Sequence, residues 1–164
     1  MLKKVFPAIC ALSFLLLNPA AAHTTPEAPV KSAPAVSAVQ YDAELAKSLG
    51  GNEGGMRPFV LVILKTGPNK TTDPSERKKM FAGHMANIER LAAEKKLAVA
   101  GPLDGVDGWR GLYVFATPDI EVAKALVATD PVIISGEMVA EYHKFYSSAA
   151  LMMMNEIHQK ITKK

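Results

Sequence analysis

Residues 59–64, Phe-Val-Leu-Val-Ile-Leu, are the element from which the rest of the chain can be placed. This uninterrupted apolar run is rich in β-branched residues, which is typical of a strand buried on both faces of a sheet. A polar loop follows, and residues 73–76, Asp-Pro-Ser-Glu, then have the pattern of a helix start. Asp73 suits the capping position, Pro74 the first turn, and Glu76 has capping-box spacing. The pattern predicts a strand followed by a helix.

The predicted helix runs to about Lys96 and has one apolar face, on which residues recur at spacings of four, three and three: Phe81, Met85, Ile88 and Leu91. Residues 97–101 and 110–116 are predicted strands, and the Asp-Gly turn signals between them make an antiparallel hairpin. Residues 117–119, Thr-Pro-Asp, begin a second helix that ends before Asp130 and Pro131.

Residues 137–146 are the fourth predicted strand, and Ser147 or Ser148 caps a last helix. Its apolar face would carry Ala150, Met154, Ile157 and Ile161. Upstream of the first strand, residues 41–49 have the pattern of a short helix that Gly50 and Gly51 stop.

The order of elements from 59 to 146 is β-α-β-β-α-β, which predicts an α+β, ferredoxin-like fold with a four-stranded antiparallel sheet. Both helices would lie on one face of that sheet, with a C-terminal helix added at 147–164. The other, apolar face must also be buried. We expect a second copy to cover it, which would give a homodimer with the form of a dimeric α+β barrel.

The N-terminal residues have the pattern of an export signal. Lys3 and Lys4 precede an apolar run at 5–17, and Ala20–Ala22 supply the small residues of a cleavage site, so residues 1–22 are predicted to be a signal peptide. Residues 23–40, rich in Pro and Ala, are predicted to be a disordered linker, and 41–58 an extension of the 59–146 domain. The expected location is outside the cytoplasm, periplasmic or secreted; retention of the segment as an anchor is the alternative.

Cleavage changes the composition that bears on function. The full chain has 164 residues, a net charge of +3 and one cysteine, Cys10; losing the first 22 residues leaves 142, a net charge of +1 and no cysteine. A cysteine-free chain has no disulfide framework, thiolate nucleophile or zinc ribbon. The near-neutral charge gives no support for nucleic-acid binding. After cleavage no apolar run of about 20 residues is left, so stable membrane insertion is not expected.

His84 and Asp130 are the residues most suited to chemistry. His84 shares the apolar face of the first helix, so it is partly desolvated and needs a hydrogen-bond partner. Gly83 beside it suggests close approach by another element or a ligand. Asp130 is held in a non-helical conformation before Pro131, and in this fold the two helices lie side by side. The pair could therefore meet and move protons near neutral pH. The alternative is structural: a satisfied core histidine and a helix-end aspartate.

Other residues are weaker candidates. His143 alternates with Glu141 and Phe145 in the fourth strand, so it either lines the same pocket as His84 or pairs across the sheet. Arg110 could bind an anionic ligand or remain solvated at a strand end. No metal site is predicted, because the Met152–Met154 run at helical spacing is typical of core or interface filling.

Several short motifs, taken in order, resemble the YCII-related (YciI-like) family over about residues 59–146. They are Gly83-His84-Met85-Ala86-Asn87-Ile88, Ala100-Gly101-Pro102, Arg110-Gly111-Leu112-Tyr113-Val114-Phe115 and Thr129-Asp130-Pro131. The resemblance implies the ferredoxin-like fold, a dimeric barrel, and catalytic roles for the helix histidine and the Asp-Pro aspartate, here His84 and Asp130. Gly101 and Pro102, with His143 and Arg110, are the predicted substrate-binding residues.

In that family one characterised activity is the cofactor-free dehydrochlorination of a chlorinated hydroxyquinol. The resemblance therefore implies a cofactor-free acid–base enzyme that carries out elimination or isomerisation on a small cyclic or aromatic molecule. The competing hypothesis is a non-catalytic dimeric module that binds a small ligand or assists a partner.

Overall fold

Residues 40–163 are the part of the chain that the structure, a computed structural model, describes. The predicted signal peptide, 1–22, and all of the predicted linker except Gln40 lie outside the described residues. Export, cleavage and the domain boundaries therefore stay predictions.

The elements follow the predicted order with one addition. They are α1 (Ala43–Ser48), β1 (Met56–Thr66), α2 (Pro74–Ala93), β2 (Leu97–Pro102), β3 (Trp109–Phe115), α3 (Ile120–Val127), α4 (Pro131–Ile134), β4 (Met138–Ser148) and α5 (Met154–Ile161). Short 3-10 segments at Val106–Gly108 and Ala149–Met153 precede β3 and α5. The added element is α4, whose four residues are too few to show a periodic pattern.

The sheet has four antiparallel strands in the order β2-β3-β1-β4. The apolar run at 59–64 lies in β1, which pairs with both β3 and β4; Val62 stands opposite Tyr113 on one side and Tyr142 on the other. A central strand with a layer on each side explains the uninterrupted apolar run. The α+β, ferredoxin-like arrangement with its four-stranded sheet and C-terminal helix is confirmed.

The main core lies between the sheet and the helices. Its buried members from the strands and helices include Val60, Val62, Leu64, Leu91, Leu97, Phe115, Val127 and Val132. The face that α2 turns toward this core agrees with the predicted one at Phe81, Ile88 and Leu91 but not at Met85. Met85 is more than half exposed, whereas Met80, Asn87 and Leu91 are buried. The buried stripe contains a polar residue, and a search for apolar periodicity passes over it.

The outer face of the sheet is only partly open. Phe59, Ala98 and Val114 are buried there, with Phe145, Leu151 and Met152 packed against them. The 3-10 segment Ala149–Met153 therefore covers one end of the face that we expected a second copy to bury. At the other end Val139 is exposed.

The C-terminal helix begins later than predicted. Ser148 Oγ accepts a hydrogen bond from the Ala150 backbone N–H, but it caps the 3-10 segment, and α5 follows. Met154, Ile157 and Ile161 are exposed, so their predicted apolar face is not packed within the described residues. Asn155 Nδ2 donates to the Leu97 carbonyl oxygen at 2.7 Å, which places α5 beside the edge strand β2. Within residues 40–163, no helix combines the length and apolarity needed to cross a membrane.

Candidate active site

His84 lies in the middle of α2, a helix fixed at its start by Asp73. The Asp73 carboxylate accepts hydrogen bonds from the backbone N–H groups of Ser75 and Glu76 at 2.9 and 2.8 Å, as the Asp-Pro-Ser-Glu pattern predicts. His84 points toward the sheet, and 13% of its side chain remains exposed.

Asp130 caps the short helix α4 and is completely buried. Its backbone is extended, with φ −84° and ψ 126°, which agrees with the non-helical conformation predicted before Pro131. Oδ1 accepts a hydrogen bond from the Val132 backbone N–H at 3.1 Å. This cap fixes the carboxylate with respect to the backbone.

The two side chains meet. His84 Nδ1 lies 2.9 Å from Asp130 Oδ2 and 3.0 Å from Oδ1. Because a carboxylate only accepts hydrogen bonds, Nδ1 must carry the proton and donate it. In the neutral ring the free electron pair is then on Nε2, which has no hydrogen-bond partner among residues 40–163.

Tyr113 of β3 is the third member of the cluster, and it was not among the predicted site residues. Its hydroxyl donates to Asp130 Oδ2 at 2.7 Å and lies 3.3 Å from His84 Nδ1. Burial, together with the hydrogen bond to Asp130, raises the pKa of Tyr113 far above its usual value. One signal was available: the strand alternation places Tyr113 on the face toward the helices, and a buried phenol needs a polar partner.

Gly83 permits the close approach predicted from its position next to His84. A Cβ atom built at Gly83 would lie 3.0 Å from Pro131 Cγ, closer than nearly all such contacts. The element that approaches is therefore the residue directly after Asp130.

Aromatic rings surround the imidazole. The Phe81 ring meets the His84 ring edge-on with centroids 6.0 Å apart, and the Tyr113 ring lies 6.3 Å from it. The Arg77 guanidinium lies over Phe81, 4.8 Å from the ring centroid. These apolar contacts leave the imidazole with little contact with water.

A second buried carboxylate lies near the contact between Arg77 and Phe81. Glu137 forms an ion pair with Arg77 and accepts a hydrogen bond from the Thr71 backbone N–H at 2.8 Å. The Arg77 hydrogen bond and the Thr71 N–H hold the pKa of Glu137 below its usual value, with a smaller contribution from the charge of Arg110. Arg110 makes no hydrogen bond to His84 or Asp130; it lies three residues before Tyr113 in β3.

His143 does not line the same pocket as His84, and that expectation is corrected. It stands opposite Leu61 in the β1–β4 register, and Leu61 stands opposite Val114, so it belongs to the outer face. Its Nε2 contacts Glu141 Oε1 at 2.8 Å, a neighbour two residues away on its own strand and not a partner across the sheet. The strict alternation of a strand directs it away from the helices.

The remaining predicted residues divide between the two faces. Gly101 stands opposite Leu112 on the outer face, and a Cβ atom there would meet open space. Pro102 is exposed at the end of β2, opposite Gly111. Among the predicted residues, the structure thus brings only His84 and Asp130 into direct contact. Whether the other four bind a substrate stays a prediction.

Two further features bear on ligands. A groove of about 820 Å³ runs between α2, β2 and α5, and its lining includes Met85, Val99, Met154 and His158 but neither His84 nor Asp130. Within the described residues, no three His, Cys, Asp or Glu side chains are grouped so that they could hold a metal ion.

A four-stranded antiparallel sheet with helices packed on one face, and a His–Asp pair between them, defines a ferredoxin-like α+β protein. The chain belongs to the YCII-related family: the model of the YCII-related domain matches residues 58–145. This confirms the family inferred from the sequence motifs.

Individual relatives are more distant. The uncharacterized protein YjpA of Bacillus subtilis (strain 168) is 38% identical over 55 residues, which is 34% of this chain and 62% of YjpA. This chain thus spans less than two thirds of that curated relative. A similar solved structure is 5-chloro-2-hydroxyhydroquinone dehydrochlorinase (TftG) from Burkholderia phenoliruptrix AC1100, in complex with 2,5-dihydroxybenzoquinone. It has a TM-score of 0.35 and 19% identity, over 54% of this chain and 90% of that chain.

Proposed function

We propose that this protein is a cofactor-free acid–base enzyme in which His84 Nε2 transfers the proton. The substrate class that we infer is a small cyclic or aromatic molecule, and the reaction is an elimination or an isomerisation. The single observation that carries the proposal is a difference in burial: Asp130 is completely buried, whereas 13% of the His84 side chain is exposed.

That difference suits proton transfer. A pair that only held two helices together would gain from burying both members, because water competes for their hydrogen bonds. Here the Asp130 carboxylate is completely buried, whereas part of the His84 side chain is exposed. A general base needs one free ring nitrogen and a second one fixed by a partner; in His84 Asp130 fixes Nδ1, and Nε2 has no hydrogen-bond partner among residues 40–163.

Each group has a defined part in the chemistry. Asp130 orients the ring and stabilises the imidazolium that forms when Nε2 takes a proton. Tyr113 and the Val132 N–H hold the carboxylate in place from two other directions. Phe81 and Tyr113 exclude water from the ring, which strengthens these electrostatic contacts.

The proton and electrons balance in both reactions. In an elimination, Nε2 takes a proton from carbon, the C–H electron pair becomes a new double bond, and the leaving group departs with its bonding pair. In an isomerisation, the imidazolium returns a proton to a different carbon. Neither reaction needs an oxidant or a reductant.

The test is proton exchange with solvent. Residues 23–164 would be incubated in D2O with a panel of hydroxylated and chlorinated quinols, cyclic ketones and lactones, and followed by proton NMR and chloride release. We expect deuterium incorporation or turnover of at least one compound. Replacing His84 by Gln should reduce the rate by about a hundredfold or more, which is the contribution typical of a general base.

His158→Gln is the matched control, because it removes the same functional group from α5, where the hydrogen-bond partner of the imidazole is Thr162. It should leave the rate unchanged. Ligand binding without exchange in the wild-type protein, or equal rates for His84→Gln and wild type, would favour the non-catalytic binding module.

We also propose that the protein is exported and that it self-associates through the outer face of its sheet. Support comes from the pattern of residues 1–22 and from the exposed apolar end of that face near Val139. Sequencing the N-terminus of the exported product should give His23 or a close neighbour. A monomer in sedimentation equilibrium at micromolar concentration would contradict the dimer.

A further inference from the structure

The segments that carry His84 and Asp130 contact each other at three successive points. On α2 these are Gly83, His84 and Asn87. On the segment that leads from α3 into α4 they are Pro131, Asp130 and Thr129, in the reverse order. The His–Asp bond is therefore flanked by one contact on each side.

On one side is a hydrogen bond between the buried Asn87 and the exposed Thr129. Asn87 is only 8% exposed, and its Oδ1 lies 3.0 Å from Thr129 Oγ1, whose single proton also has the Leu126 carbonyl oxygen as an acceptor at 2.7 Å. Arg90 Nη2 donates to the same Asn87 oxygen at 2.8 Å and lies 3.2 Å from Thr129 Oγ1. The Arg90 guanidinium thus bonds to both Asn87 and Thr129.

On the other side is a steric contact. The missing side chain of Gly83 lets Pro131 approach α2, where a Cβ atom would lie only 3.0 Å from Pro131 Cγ. The proline ring also keeps the backbone of Asp130 extended. An alanine at position 83 would require Pro131 to move by a few tenths of an ångström.

We propose that Asn87 and Thr129 are positioning residues for the His84–Asp130 pair, with Gly83 setting its separation. The bond between His84 and Asp130 is 2.9 Å long, so a displacement of the segment by about 1 Å takes it beyond hydrogen-bond range. With a contact on only one side of the His84–Asp130 bond, the segment that carries Asp130 could rotate about that contact. This inference rests on the proposed function for its purpose, but its test needs no substrate.

The readout is the tautomer of His84, observed through the ¹⁵N shifts of its ring at mildly alkaline pH. In the wild type the proton should be on Nδ1, where Asp130 holds it. An imidazole released into water places the proton mainly on Nε2. Thr129→Val keeps the shape and removes the hydroxyl, so we expect a clear shift toward the Nε2–H form. Thr129→Ser should restore the wild-type spectrum.

Thr117→Val is the matched control. It removes another threonine hydroxyl that bonds a loop backbone, the Asp119 N–H at 3.1 Å, in a position away from His84. It should lower stability to a similar extent and leave the His84 tautomer unchanged. If the Thr129 hydroxyl only stabilised the fold, Thr129→Val and Thr117→Val would have the same effect on the His84 tautomer.

Gly83→Ala keeps the proposal testable if Thr129→Val does not fold. Alanine favours the helix more than glycine does, so the variant should remain folded. Because Pro131 must move by only a few tenths of an ångström, the His84 spectrum should move in the same direction as in Thr129→Val but by less. An unchanged Nδ1–H tautomer in both variants would overturn this proposal while leaving the enzyme proposal intact. Absence of turnover across the substrate panel would contradict the enzyme proposal and leave this proposal intact.

Discussion

Two histidine–carboxylate pairs lie on opposite faces of the same sheet, with nearly the same bond length. His84 and Asp130 are 2.9 Å apart, and His143 and Glu141 are 2.8 Å apart. Their surroundings differ: the exposed fractions are 13% and 0% for the first pair and 48% for each member of the second.

Because the two bond lengths are nearly equal, the comparison shows the effect of burial alone. Water solvates both members of the outer pair, and Lys65 shares the Glu141 carboxylate, so the individual bond contributes little. The Asp130 carboxylate is completely buried and depends on His84, Tyr113 and the Val132 N–H. If any one of these hydrogen bonds is lost, solvent cannot take its place. Four substitutions measure this difference between buried and solvated groups.

Asp130→Ala should have the largest effect. It removes the cap of α4 and leaves the Tyr113 hydroxyl and His84 Nδ1 without a buried partner, so we expect a loss of about 3–5 kcal/mol in the free energy of unfolding. Urea denaturation followed by circular dichroism measures it. Glu141→Ala is the counterpart on the outer face and should leave the unfolding midpoint unchanged. Similar losses in both variants would show that burial does not separate the two pairs.

Tyr113→Phe should have the next largest effect. It removes one hydroxyl whose acceptor is a buried carboxylate, which costs about 1.5–3 kcal/mol. Tyr142→Phe is the control, since that hydroxyl has no hydrogen-bond partner among residues 40–163, and it should be nearly neutral in urea denaturation.

The same substitution changes the response to alkali. The pKa of Tyr113 is raised above the usual value of 10.0, so its contribution to stability is complete below that pH and is lost as the pH rises. The wild type should lose stability above about pH 10 more steeply than Tyr113→Phe. Phenolate absorbance from Tyr113 before unfolding would contradict the buried hydrogen bond.

Glu137→Gln should have a moderate effect that depends on pH. The pKa of Glu137 is lowered from its usual value of 4.5, mainly by Arg77, so its stabilisation is complete above that pH and is lost as the pH falls through the folded-state pKa. We expect a loss of about 1–2 kcal/mol at neutral pH that shrinks in acid. Thermal unfolding between neutral and acid pH measures it, and a constant difference between variant and wild type would be evidence against the ion pair.

His143→Gln should have the smallest effect. Both partners of its hydrogen bond are solvated, so the unfolding midpoint should remain within experimental error of the wild type. The measurement is the same urea titration used for Asp130→Ala. A large loss of stability would indicate that the outer face is covered by something that these residues contact.

The sequence was sufficient for the order of elements, because each depends on a local signal. The apolar run in β1, the Asp73 cap and the Asp-Gly turns are all short-range patterns, and each is present in the structure. His84 and Asp130 could be paired because the fold places two helices side by side. Their meeting is the part of the site that the sequence predicted.

What the sequence could not supply depends on contacts between distant residues. Tyr113 belongs to the site only because β3 lies beneath both segments. Met85 seemed to be core, yet Asn87 is buried in a neighbouring position, since its hydrogen bonds compensate for its polarity. His143 had an undetermined face until the register of β4 was known.

The bond between Asn155 and the Leu97 carbonyl has a consequence for solubility. The outermost strands of a sheet are where separate molecules can join their backbones and aggregate. On β2 that carbonyl is occupied by a side chain of the same molecule, the register with β3 is interrupted between Leu97 and Val99, and Pro102 at its end has no N–H to offer. These features limit backbone pairing at the two ends of β2.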